Sequence, residues 1–103
     1  MRKFGRVDAN HAEIADAFRE CGCSFLSMSA LGDGAPDGLV GWGGLCIPVE
    51  IKDGRKPPSA RKLTPAQEEF RDSWTGGLRL VDSIDSVLET VSLLKKWHAK
   101  LSA

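Results

Sequence analysis

A chain of 103 residues with no net formal charge, 42% hydrophobic and 27% charged residues has room for one domain with a single hydrophobic core. Its longest apolar run, Leu45 to Val49, is far too short for a bilayer, and the basic segment Met1–Arg6 is followed by no apolar stretch, which excludes a membrane span and a secretory signal and leaves a cytoplasmic setting. Zero net charge also excludes nucleic-acid binding by bulk electrostatics, so any such contact must come from local clusters.

The first helix is expected from Asn10 to Cys21, with Asn10 as N-cap, Glu13 in capping-box position, and Ile14, Ala17, Phe18 and Cys21 as the apolar stripe before Gly22. Glu13 lies about 100° from Ile14 around the helix, at the margin of the buried face. Cys23–Ser29 has strand composition, and Gly32-Asp33-Gly34 marks a loop leading to Pro36. Two strands follow, Asp37 to Trp42 and Leu45 to Lys52, joined by a Gly43-Gly44 turn. Pro48 cannot donate to a ladder, so it implies a bulge or an unpaired stretch before Glu50. The stretch from Arg55 to Lys62 reads as an extended, exposed, basic loop. A second helix starts at Thr64 as N-cap, with Pro65 in first position and Gln67 completing a capping box, and ends near Trp74 before Gly76-Gly77. Leu78–Val81 is a short strand. Asp82 or Ser83 then caps a last helix whose Ile84, Val87, Leu88, Val91, Leu94 and Leu101 form an apolar face. The order α-β-β-β-α-β-α predicts an α/β sandwich with a mixed sheet.

The three cysteines, Cys21, Cys23 and Cys46, cannot all pair and are read as reduced and mostly buried. Cys21-Gly22-Cys23 has one intervening residue where a zinc knuckle has two or more, and neither His11 nor His98 has a second ligand at helical spacing, so zinc is not expected.

The chemistry is concentrated in Pro36-Asp37 and in Glu50-Ile51-Lys52. Alternate side chains of a strand share a face, so Glu50 and Lys52 point one way while Val49 and Ile51 turn to the core. With Asp37 beside Glu50, two carboxylates make a hard-ligand site suited to Mg²⁺ or Mn²⁺, and the ammonium of Lys52 is placed to act on a phosphate or a water. A Glu-x-Lys step by itself is common on solvent-facing strands, where it forms a salt-bridged surface. The order Pro-Asp, apolar run, glycine hairpin, Glu-x-Lys, Asp-Gly favours the site. A basic loop is ordinarily just solvated, but Arg55, Lys56, Arg61 and Lys62 follow this strand directly and suit phosphate contacts. Trp42, Trp74 and Trp97 read as core or interface residues rather than stacking platforms.

These residues resemble the PD-(D/E)xK nuclease signature, and the element order is similar to the restriction-endonuclease-like α-β-β-β-α-β core, a mixed sheet flanked by helices. More narrowly, Glu13, Pro36-Asp37, Glu50 to Gly54 and Lys62-Leu63-Thr64-Pro65-Ala66-Gln67 resemble the small stand-alone VRR-NUC nucleases of bacteriophages and bacteria. The resemblance implies a metal-dependent DNA endonuclease, structure-specific and junction-resolving, with a nicking or flap-type nuclease or a non-catalytic DNA-binding module as alternatives. It implies that Asp37, Glu50 and the Ile51 carbonyl bind Mg²⁺, that Lys52 assists the attacking water as base or as positive charge, and that Glu13 completes the site. Glu13 and Gln67 each have a second reading, as ordinary capping-box residues, beside a role at the site or scissile phosphate. A symmetric homodimer is expected, because paired cuts need two sites and the last helix carries Leu93, Trp97 and Leu101 on a further apolar face. Alternatively, Trp97 folds over the protein's own core.

Overall fold

The computed structural model describes residues 10–102, so the basic segment Met1–Arg6 lies outside the described residues. Helix α1 (His11–Glu20), strand β1 (Ser24–Ser27), a 3₁₀ turn (Ser29–Leu31), β2 (Gly38–Trp42), β3 (Leu45–Ile51), a second 3₁₀ turn (Pro58–Ala60), α2 (Pro65–Ser73), β4 (Arg79–Val81) and α3 (Ile84–Ser102) follow in chain order. The protein is mixed α/β, with a four-stranded mixed sheet in the order β1-β2-β3-β4. The first two pairings are antiparallel and β3 with β4 is parallel, which is why that connection requires a crossover and α2 lies within it.

Register decides what each face does. Phe25, Val40, Ile47, Val49, Ile51 and Val81 fall on one face by alternation and pairing. There they pack with Ile14 and Phe18 of α1 and Val87, Val91 and Leu94 of α3. Leu26, Leu39, Cys46, Pro48, Glu50 and Leu80 fall on the opposite face. That face carries α2, which buries none of its own residues.

Several expectations are corrected. Pro48 causes no bulge: it pairs with Leu39 in unbroken register. The Lys52 N–H donates to the Val81 carbonyl, so by alternation the nitrogen of Pro48 also faces β4. Because β4 begins only opposite Val49, no ladder bond is lost. Asn10 does cap α1, but its side chain makes no capping bond; Nδ2 donates instead to the Lys52 carbonyl at 3.0 Å, and the proposed box with Glu13 does not form. That bond uses the donor end of the amide, while Oδ1, the atom a cap requires, makes no hydrogen bond. Segment 23–29 is strand only over its middle four residues, and the basic loop is exposed but not wholly extended, since Pro58–Ala60 turns. On α3 the buried stripe is Val87, Thr90, Val91 and Leu94, narrower than expected, with Ile84, Leu88, Trp97 and Leu101 exposed. Leu88 sits about 100° from Val87 and misses the sheet. Cys46, on the α2 face, is exposed, while Cys23 is buried and Cys21 half-buried, all as free thiols. Among the described residues no helix is long and apolar enough to cross a membrane.

Candidate functional site

Asp37 is placed by the backbone just before β2. Its N–H donates to the Val49 carbonyl at 3.0 Å, and its Oδ2 accepts from the Ile51 N–H at 2.7 Å. Ile51 N–H points toward β2 beyond the strand's first residue, so the carboxylate supplies the acceptor the ladder lacks there. Asp37 is thereby fixed against the end of β3.

Glu50 points to the α2 face and is only 5% exposed. A buried carboxylate needs a donor. Gln67 Nε2 is one, in a hydrogen bond to Glu50 Oε2. The same glutamine's Oε1 accepts from Lys52 Nζ at 2.9 Å and from the Thr64 N–H at 2.8 Å, while Thr64 Oγ1 caps the Gln67 N–H. The expected capping box of α2 is therefore formed, and its glutamine also joins the site. One amide, turned to present its oxygen to a cation and its NH₂ to an anion, holds Glu50 and Lys52 together. Gln67 is thus the cap partner of α2 and at the same time the neighbour of Glu50 and Lys52.

Asp37, Glu50, Ile51, Lys52 and Gln67 line one cavity of about 270 Å³, with Ser29, Thr64 and the glycine loop Gly32-Asp33-Gly34-Ala35 as its remaining wall. Gly34 is required where it stands: φ is +78°, and a Cβ there would lie 2.4 Å from the Ala66 carbonyl oxygen in the first turn of α2. The loop thus presses on the turn that carries Gln67. Among the described residues no three His, Cys, Asp or Glu side chains cluster as a metal cage. The cavity offers two carboxylates fixed by backbone and amide contacts, the oxygen chemistry that Mg²⁺ takes when water and substrate phosphate complete its shell.

Glu13 does not line this cavity. It is exposed, on a separate cleft of about 460 Å³ formed with Asn10, Ile14, Asp53, Gly54, Arg55, Arg61, Asp82, Ser83 and Ile84. Arg55 grips Asp53 through Nε and a terminal nitrogen, at 3.0 and 3.2 Å, and the hydrogen bonds from Arg55 hold the Asp53 carboxyl below the usual carboxylate range. Arg61 lies 3.6 Å from Asp82. Arg55, Lys56 and Lys62 are exposed and Arg61 is half-buried. The two arginines therefore bracket the loop, pinning its ends to the start of α3 and the end of β3. Asn10, which the sequence showed only as a cap, and Asp33 and Ser29 at the cavity wall are the residues sequence reasoning missed. For Asn10 no local pattern exists, because its partner lies 42 positions away. No protein-family model matches this chain, and no curated protein or solved structure is a match to it.

Proposed function

We propose that the protein is a Mg²⁺-dependent DNA endonuclease of the restriction-endonuclease-like type, structure-specific and acting on junctions as a homodimer. The observation that carries the reading is the shared cavity of Asp37, Glu50, Lys52 and Gln67, in which a buried carboxylate and an ammonium two residues apart are held by one amide. Nothing in the packing of the core calls for that pair, since it lies on the face opposite α1 and α3.

Asp37 and Glu50 would hold the cation, with the Ile51 carbonyl as a further ligand. Bound there, Mg²⁺ would supply an activated water and charge neutralisation at the phosphate. Lys52 places a positive charge beside the two carboxylates, where it stabilises a nucleophilic water or a non-bridging phosphate oxygen. Gln67 sets the distance between Glu50 and Lys52. Arg55, Lys56, Arg61 and Lys62 follow on the same end of β3 and serve the DNA backbone. Glu13, on the neighbouring cleft, serves substrate rather than the ion. The exposed Trp97 and Leu101 of α3, which with Leu45 and Lys100 line an apolar cavity, are the proposed dimer contact.

The test is a cleavage panel of linear duplex, single strand, flap and four-way junction with Mg²⁺, Mn²⁺ or EDTA. Cleavage should require the metal, favour the junction, and vanish in Asp37→Asn and Glu50→Gln while DNA binding survives. Parental cleavage by either variant would refute the site. Preference for the flap, together with a monomer in light scattering, would replace junction resolution by a nicking or flap activity.

A further inference from the structure

The cleft that holds Glu13 has a composition the reaction site does not explain. It lies between the first residues of α1, the Asp53-Gly54-Arg55 turn, Arg61 and the start of α3. Two polar atoms among its lining side chains are buried without a partner: Asn10 Oδ1, an acceptor on a residue only 4% exposed, and Arg61 Nε, a donor. Asn10 is held in place by its other amide atom, through the 3.0 Å bond to the Lys52 carbonyl, so its oxygen is not free to leave for α1. Buried polar atoms are almost always satisfied, and two in one cleft mark a site whose partner is a ligand or ordered water.

The charges narrow the class. Two arginines would suit an anion, but Glu13, Asp53 and Asp82 line the same cleft and oppose a bare one. A ligand carrying a phosphate together with hydrogen-bond donors satisfies both sets, with an Arg61 N–H on a phosphate oxygen and Asn10 Oδ1 or Glu13 accepting from a base amine or sugar hydroxyl. A volume near 460 Å³ is that of a small-ligand site and too small to hold a duplex. The cleft also starts one residue beyond Lys52, whose carbonyl Asn10 holds. We infer that this cleft binds one unstacked nucleotide, and, resting on the nuclease reading above, that this is the nucleotide flanking the scissile phosphate, taken unpaired from its strand.

The test uses the full ¹⁵N-labelled chain in EDTA, titrated with each of the four 2′-deoxynucleoside 5′-monophosphates and separately with inorganic phosphate. At least one nucleotide should give saturable shifts at the amides of Gly54, Arg55, Ser83 and Ile84, with half-saturation about tenfold or more below that of phosphate. Arg61→Gln should raise that value about tenfold, and Arg61→Lys, which keeps the charge but lacks Nε, should not restore it. Equal binding of phosphate, shifts confined to Asp33, Gly34 and Lys52, or no shifts up to about 10 mM would overturn the inference. Failure of the two readings is separable. Nucleotide binding at the cleft with no DNA cleaved under any metal keeps this site and removes the nuclease, whereas cleavage without nucleotide binding removes this site alone.

Discussion

Gln67→Glu changes one atom of the site and almost nothing of its shape, and its consequence can be worked through. The new carboxylate at position 67 keeps an oxygen for Lys52 Nζ and for the Thr64 N–H, so the cap of α2 persists. Where Nε2 donated to Glu50 Oε2, two carboxylate oxygens now meet. At about 3 Å and an effective dielectric of about 20, two full charges repel by about 5.5 kcal/mol. The Lys52 ammonium, at 2.9 Å from the side-chain oxygen of residue 67, would offset about as much, so parent and variant are compared in a Lys52→Met background. Taking up a proton relieves this, and at pH 7, about 2.7 units above the ordinary glutamate value, that proton costs about 3.7 kcal/mol. The cheaper route wins, so the pair shares a proton and its folded-state pKa is raised. A raised pKa contributes stability that is fully present below the unfolded value of about 4.3 and is lost as pH rises toward the folded value. Relative to the parent, the variant should be nearly unchanged at pH 4.5 and lose about 1.4 kcal/mol per pH unit above it, reaching 3–4 kcal/mol near pH 7. Urea denaturation of both proteins at pH 4.5, 5.5, 6.5 and 7.5 measures this directly. Parallel pH curves would refute the contact between Gln67 and Glu50. Millimolar Mg²⁺ restoring part of the loss at pH 7 would add independent support for a cation at this pair.

Gly34→Ala combines a left-handed φ with a Cβ placed against the Ala66 carbonyl, so it should cost about 2 kcal/mol or more in thermal or chemical melts and, by moving the turn that carries Gln67, lower cleavage as well. Asp37→Ala, which strands the Ile51 N–H, should destabilise by about 1–3 kcal/mol, while Asp37→Asn, which keeps an acceptor, should cost less than about 1 kcal/mol; equal losses would show that Oδ2 does not hold β3. The Asp53 carboxyl, held low by Arg55, stabilises the loop above its unfolded pKa and loses that contribution as pH falls through its lowered folded value. Its ¹³C carboxyl titration should therefore lie below the usual aspartate range and return to it in Arg55→Met.

The elements and their order were legible because each rests on local chemistry. Apolar periodicity marks α1 and α3, paired glycines mark the hairpin, and Thr64-Pro65-Ala66-Gln67 is a complete helix start whose bonds close within four residues. The strand alternation that puts Glu50 opposite Val49 and Ile51 is equally local, and so the carboxylate and lysine were identifiable as a pair. Glu13 shows the limit. Its position on α1 follows from the sequence, but whether it meets Glu50 depends on how α1 is rotated and offset over the sheet, and it lines a different cleft from Glu50. Asn10 turns its amide to the carbonyl of Lys52 and caps no helix N–H, Pro48 is harmless only because β4 starts one residue later, and Arg61 reaches the distant Asp82. Each of these is a choice between a local partner and one brought near by folding. A sequence contains both candidates, but only the assembled sheet sets the distances, and at hydrogen-bonding range a few ångströms decide which partner wins.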